Sequence, residues 1–171
     1  MVIVGSKFKD KANFMAVAWV SRVNFDPAVY SVAIGQNHLT HDCILENKCF
    51  SINIPGKDLV EKTDYVGIVS GKKEDKSGIF TVYYEKNKNI PLIEEAALSM
   101  ECKLLDYVKL SSNTIFLGEI TGAYCKQEFL TNGIPDFKRI DCFILTMPDN
   151  IYWGLGENFG SAWSSGFKFK K

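Results

Sequence analysis

Phe14-Met-Ala-Val-Ala-Trp-Val-Ser21 is apolar at nearly every position and rich in residues that suit a pleated sheet, which predicts a β-strand covered on both faces. Asp26-Pro27 then marks a turn, and Val29-Tyr-Ser-Val-Ala-Ile34 predicts a second strand. A polar loop through Asn37 and His38 leads to Thr40, whose hydroxyl is suited to cap a helix running through Cys43, Ile44 and Leu45. Cys49-Phe-Ser-Ile-Asn-Ile54 alternates large apolar with small polar side chains, as a half-buried strand does, and Pro55-Gly56 ends it.

Further along, Lys57 to Val66 predicts a short helix with Leu59 and Val60 turned inward. Ser70-Gly-Lys-Lys-Glu-Asp-Lys-Ser-Gly78 is glycine-bounded and heavily charged, the pattern of an exposed loop or short helical turn. Strands are predicted at Leu98 to Leu105, Thr114 to Tyr124, Ile140 to Thr146 and Ile151 to Trp153. The fold class is therefore mainly β, a small antiparallel barrel with a few short helices. The whole chain, residues 1–171, reads as a single domain without repeat, low-complexity tract or linker, and Lys168, Lys170 and Lys171 read as a frayed terminus.

Lys plus Arg number 20 and Asp plus Glu number 20, so no overall field draws the protein to nucleic acid or to an anionic membrane. The longest clean apolar stretch, Phe14 to Val20, is too short to cross a bilayer, and the Lys-bearing start has no apolar signal core followed by a cleavage site. A cytosolic protein is expected. Five cysteines, an odd number with no C-x-x-C among them, argue for reduced thiols rather than a disulfide framework or a zinc knuckle.

Gly154, Gly156 and Gly160 lack the spacing of a dinucleotide-binding fingerprint and stand too late for a βαβ unit. They fit either a loop that admits a ligand or partner, or a plain turn. His38 and His41 beside Asp42 and Cys43 have no second ligand pair elsewhere, so no metal is expected. G-x-S-x-G does not occur, which removes the common hydrolase elbow. What remains is Asn37 to Asn53. A helix start offers free N–H groups and partial positive charge to a phosphate monoester. Thr40 stands there, and Ser51 and Asn53 share one face of the next strand. Taken alone these residues support an anion site; Thr40 as a mere cap and Ser51 and Asn53 as a solvent-facing row are the competing readings.

The order of motifs resembles the flavin reductase-like, FMN-binding split-barrel family, in particular its flavoredoxin branch. The resemblance rests on Asn13-Phe-Met-Ala-Val-Ala-Trp-Val-Ser21, Thr40-His41, Phe50-Ser-Ile-Asn53, Tyr65-Val-Gly67, Ser70-Gly71 with Asp75-Lys76, Pro91-Leu-Ile93, Glu101-Cys-Lys103 and Phe116-Leu-Gly-Glu-Ile120. It implies a homodimer of six-stranded, antiparallel, Greek-key-like barrels holding FMN near the subunit interface. By matching motifs it assigns flavin contacts to Trp19 and Ser21, to Asn37, His38 and Thr40, to Ser51 and Asn53, and to Ser70, Gly71 and Lys76. His38, Thr40 and Lys76 would suit the phosphate; Trp19, Ser51 and Asn53 would suit the ring and ribityl chain. Trp19 stands where many relatives carry a smaller polar residue, and Asn37-His38 replaces a more basic pair common in the branch.

The resemblance further implies electron transfer from NAD(P)H, or from a protein such as ferredoxin, to a flavin, metal or protein acceptor. The flavin supplies the redox chemistry, so no catalytic residue is assigned. Cys102 could meet flavin or a redox partner, or be an ordinary buried thiol, and stays outside the site. The stretch Tyr152-Trp-Gly-Leu-Gly156 could reach across the dimer to cover the ring. The rival functions are a non-enzymatic FMN-binding or storage protein and a ligand-free interaction module.

Overall fold

A computed structural model describes residues 1–169, so Lys170 and Lys171 of the expected frayed terminus lie outside the described residues. The elements in chain order are β1 (Val2–Phe8), β2 (Lys11–Val17), β3 (Val20–Asn24), β4 (Val29–Gly35), α1 (Leu39–Asn47), β5 (Cys49–Ile54) and α2 (Val60–Ile68). There follow the short β6 (Val82–Tyr83) and β7 (Leu92–Ile93), the long β8 (Leu98–Lys109) and β9 (Asn113–Cys125), and the short β10 (Leu130–Thr131) and β11 (Ile134–Pro135). Helix α3 (Phe137–Ile140) and the hairpin β12 (Phe143–Thr146) and β13 (Ile151–Gly154) complete the set.

One seven-stranded antiparallel sheet runs β2-β1-β5-β8-β9-β4-β3. Its two edge strands are consecutive in the chain. At Ala18-Trp19 the strand kinks: Val20 N donates to Ala18 O at 3.1 Å, and Trp19 O accepts from Ala33 N at 2.9 Å. Before the kink the chain pairs with β1; after it, with β4. Counted as one kinked strand, β2 and β3 close the sheet into a six-stranded barrel with a split between β2 and β4. The single strand predicted for Phe14 to Ser21 is thus corrected to two, and Trp19, at the change of partner, is 54% exposed rather than covered.

Val32, Ile34, Phe50, Ile52 and Phe116 fill the barrel and are wholly buried. Gly118 makes room for Phe50: a Cβ there would stand 2.4 Å from the Phe50 ring. A second cluster of Ile3, Phe14, Val66, Phe80 and Ile93 joins the outer side of the β1–β2 hairpin to α2, with Phe14 and Phe80 edge to face at 5.3 Å. The sequence pattern marks no element over Val2 to Phe8, yet β1 lies between β2 and β5 and is buried over Val2 to Ser6. The strand predicted for Ile140 to Thr146 starts later, because Asp136 accepts from Lys138 N and Arg139 N and caps α3 first. Among the described residues no helix is long and apolar enough to cross a membrane.

Ser51 and Asn53 do not form a solvent-facing row, and their assignment to the flavin ring and ribityl chain is corrected. Strand β5 lies between β1 and β8, and the segment Pro91 to Ile93 covers its outer face, so both side chains are fully buried. Ser51 Oγ donates to Pro91 O at 2.6 Å. Asn53 Nδ2 donates to Ile3 O at 3.1 Å and to Ser51 Oγ at 2.9 Å, and its Oδ1 accepts from Ile93 N at 3.1 Å. Their polar atoms pin a loop to the sheet. Replacing Asn53 by Ala strands the Ile93 N–H in the core and should cost about 2–4 kcal/mol of unfolding free energy, read from urea transitions with an unchanged m-value. A loss below about 0.5 kcal/mol would contradict this role.

Candidate functional site

The barrel split opens into a cleft of about 510 Å³. The kinked strand supplies one wall with Met15, Ala18 and Trp19; β4 supplies Ala33 and Gly35; Gly67 and Ile68 of α2 face them, and Leu145, Met147 and Tyr152 of the β12–β13 hairpin close the side. Ala18, Ala33, Gly35 and Gly67 keep these walls flat, and the lining is predominantly apolar, which suits a planar aromatic body.

Polar groups stand at two places in the cleft. Tyr152 donates to Asp64 Oδ1 at 2.7 Å, and burial followed by that hydrogen bond pushes the phenol up to about 12. His38 is the N-cap of α1 and exposed, and the helix start carries no side-chain cap. Its ring packs over Gly35, where a Cβ would come within 2.9 Å of His38 Cδ2. Burial, then the charges of Lys76 and Lys72, hold the imidazole below its ordinary value. Lys72, paired with Asp42 in the first turn of α1, and Lys76 line one groove with Leu39, so both stand near an open helix N-terminus, the setting an anion takes.

On the other side of this cationic neighbourhood lies a groove of about 450 Å³, lined by Asn13, Leu39, Gly71, Lys72 and Lys76 among others. Lys72 Nζ meets Asp42 at 2.9 Å and keeps part of its surface in solvent. Lys76 is only 5% exposed; its Nζ donates to Val66 O at 3.0 Å and Val69 O at 3.1 Å, the carbonyls at the end of α2. Burial pushes its pKa down to about 8. Thr40 is 1% exposed, and its Oγ1 accepts from Asn13 Nδ2 at 2.8 Å.

The structure thus brings Trp19 and His38 into one cleft and sets Gly71 and Lys76 in the adjoining groove. Two assignments are corrected. Thr40 is neither the cap nor a free ligand, because the helix begins one residue earlier and its hydroxyl is engaged in the interior. Lys76 directs its amine to the end of α2, leaving Lys72 the more accessible cation. Asn37 is exposed beside His38, Ser70 Oγ accepts from Lys72 N at 3.4 Å, and Ser21 lies beyond the kink with Oγ donating to Arg22 O at 3.2 Å. His41 joins Thr114 Oγ1 at 3.0 Å and Asp42 Oδ1 at 3.1 Å. Among the described residues no group of three or more His, Cys, Asp or Glu side chains is placed to hold a metal. Sequence reasoning missed Lys72, Asp64, Ile68 and the place of Tyr152 in its own protomer's cleft. Lys72 could have been found, since it follows Ser70-Gly71 directly; Asp64 and Tyr152 meet only through the fold.

Comparison with known proteins gives consistent relatives. A sequence profile described as "Flavin reductase like domain" matches residues 1–136. The crystal structure of flavoredoxin from Methanosarcina acetivorans is 44% identical, covers 98% of this chain and 90% of its own, and superposes with a TM-score of 0.96. Flavoredoxin of Desulfovibrio vulgaris (Miyazaki F) is 30% identical over 96% of this chain and 91% of its own, at a TM-score of 0.90. An FMN-binding protein from Thermus thermophilus, solved with p-hydroxybenzaldehyde, shares the fold at 19% identity and a TM-score of 0.81, covering 94% and 87% of the two chains.

Lys76 gives the site a pH signature. Its pKa is lower folded, about 8, than in an unfolded chain, about 10.4. Between those values the unfolded state binds more protons, so this group makes stability rise with pH across the window, and its penalty is constant below pH 8. The stability of the wild type minus that of Lys76→Met should therefore increase from pH 8 to about pH 10 in urea titrations, with the tyrosines common to both. Parallel pH profiles would contradict a buried, depressed Lys76.

Proposed function

The chain belongs to the flavin reductase-like family, matched over residues 1–136, and from that premise we propose that it is an FMN-dependent flavoprotein that acts as a flavin reductase or flavoredoxin. Membership places it among flavin-linked oxidoreductases. One observation carries the finer reading: the flat apolar cleft at the barrel split runs to His38 at the N-terminus of α1, and the next residue, Leu39, lines the adjoining groove together with Lys72 and Lys76. Those residues fit a flavin mononucleotide, an aromatic ring system ending in one phosphate monoester.

In this reading the chain's own side chains bind and orient. Trp19 and Ile68 bound the ring's space, and Ala33 and Gly35 let it lie against β4. His38, Lys72 and the first N–H groups of α1 take the phosphate, with Asn37 and Ser70 beside them. Lys76 shapes the groove by fixing the loop to α2, and its charge adds to the field. When bound, the flavin supplies hydride or electron transfer at its ring. No side-chain acid or base is assigned as catalytic.

NAD(P)H or a redox protein is the proposed donor, and a flavin, metal centre or protein the acceptor. A homodimer is supported by the cleft itself, which is open to solvent at Trp19 and Ile68, 54% and 75% exposed, where a second copy would exclude water. The five unpaired cysteines support a reducing, cytosolic setting.

Fluorescence titration with FMN tests the binding mode. His38→Ala and Lys72→Ala should each weaken FMN binding by roughly ten- to a hundredfold, the loss of a charge-assisted hydrogen bond to phosphate. Affinities unchanged in both variants would remove the phosphate assignment. Anaerobic addition of NADH or NADPH to the FMN-loaded protein then separates an NAD(P)H oxidoreductase, whose flavin bleaches, from a carrier or storage protein, whose flavin does not.

A further inference from the structure

The chain beyond β13 displays four strongly exposed aromatic groups: Phe159 and Trp163 at 104% and 95%, Phe167 and Phe169 at 83% and 78%. A frayed tail would have no internal order, but this segment does. Ser165 N donates to Ser161 O at 3.0 Å, Ser161 N to Ser165 Oγ at 2.9 Å, and a 3₁₀ turn spans Ser165–Lys168. It lies outside the matched residues 1–136, yet the match to the Methanosarcina protein covers 98% of the chain, so the segment belongs to the shared structure. An ordered backbone that holds four aromatic rings in water is poised for a surface that is not its own barrel.

The barrel carries a second uncovered feature of complementary kind. Strand β5 pairs with β8 only as far as Lys103, so the outer half of β8 has β9 on one side and a free edge on the other. That half bears Leu105, Tyr107 and Val108, and Leu110 follows it; each is about half exposed. A free apolar edge invites pairing unless something covers it.

We propose that Leu155–Phe169 is an arm that docks on a second copy of this chain, laying its aromatic side chains over the apolar β8 edge of the partner while the partner's arm does the same in return. The proposal takes from the homodimer reading only the presence of a second copy, and it assumes nothing about flavin. Area supports it. Four aromatic side chains bury about 150–250 Å² each, so one arm brings roughly 600–1,000 Å², close to the roughly 800 Å² per partner of a stable interface. Leu155 to Phe159 belongs to no strand, and so has backbone groups free to align along an open edge. A bilayer is the poorer occupant: beyond its four-residue turn the arm is not helical, and unpaired N–H and C=O groups are costly in lipid.

Sedimentation equilibrium on the full chain tests this with two variants, the triple Phe159→Ser, Trp163→Ser, Phe167→Ser and the single Val108→Glu. The wild type should be a dimer, and each variant should dimerise at least about tenfold more weakly. Mixing the two variants should restore a heterodimer, because one intact arm then meets one intact edge. A monomeric wild type would overturn both the arm and the homodimer reading. A triple variant with unchanged dimer affinity would overturn the arm alone, as would variants that fail to complement, or a wild-type arm that binds vesicles of mixed neutral and anionic lipid while the protein stays monomeric.

Discussion

A strand can complete its hydrogen bonds with a given neighbour only while it runs beside it, and the chain from Lys11 to Asn24 is asked to serve β1 first and β4 afterwards. The kink at Ala18-Trp19 is where that service changes hands. It closes the sheet covalently rather than by a ladder, so the barrel keeps a split, and the split is the cleft. Past the hydrogen bond from Ala33 N to Trp19 O, Met15 and Ala16 of β2 and Gly35 of β4 line a gap that a continuous ladder would have filled. Without the kink the sheet would have neither closure nor a site.

Polar atoms hold the walls around that gap. Asn13 on β2 fixes the first turn of α1 through Thr40 Oγ1, which places His38 at the end of the cleft. Lys76 ties its loop to the last carbonyls of α2. Asn53 and Ser51 tie Pro91 to Ile93 against the sheet. Each is a buried group with its partners in place, the condition under which burying polarity specifies a geometry instead of merely costing stability. The cleft's own groups are the under-partnered ones: an uncapped helix start, an imidazole near two ammonium groups and an exposed indole.

Much of this was legible in the sequence. The alternation in Cys49 to Ile54 gave β5 to the residue, and the polar loop before Thr40 located the start of α1 within two positions. The motif order identified the family, and with it a barrel. What sequence could not supply was which surface covers which. Alternation marks Ser51 and Asn53 as sharing a face, but nothing local says that Pro91 to Ile93 lies on it. A lysine in a charged loop reads as solvated, and only the fold turns Lys76 inward. Strand β1 escaped because Lys7 and Lys9 near its end mask the apolar run Val2 to Val4, and a residue such as Trp19 reads as core until the change of partner exposes it.

Whether the split cleft holds a flavin is read from the visible absorption spectrum of the purified full chain, before and after equilibration with FMN and removal of the excess. A flavin in the cleft makes the protein yellow, with about one flavin per chain and bands perturbed from those of free FMN by the apolar walls. A protein that stays colourless and retains no FMN would contradict it.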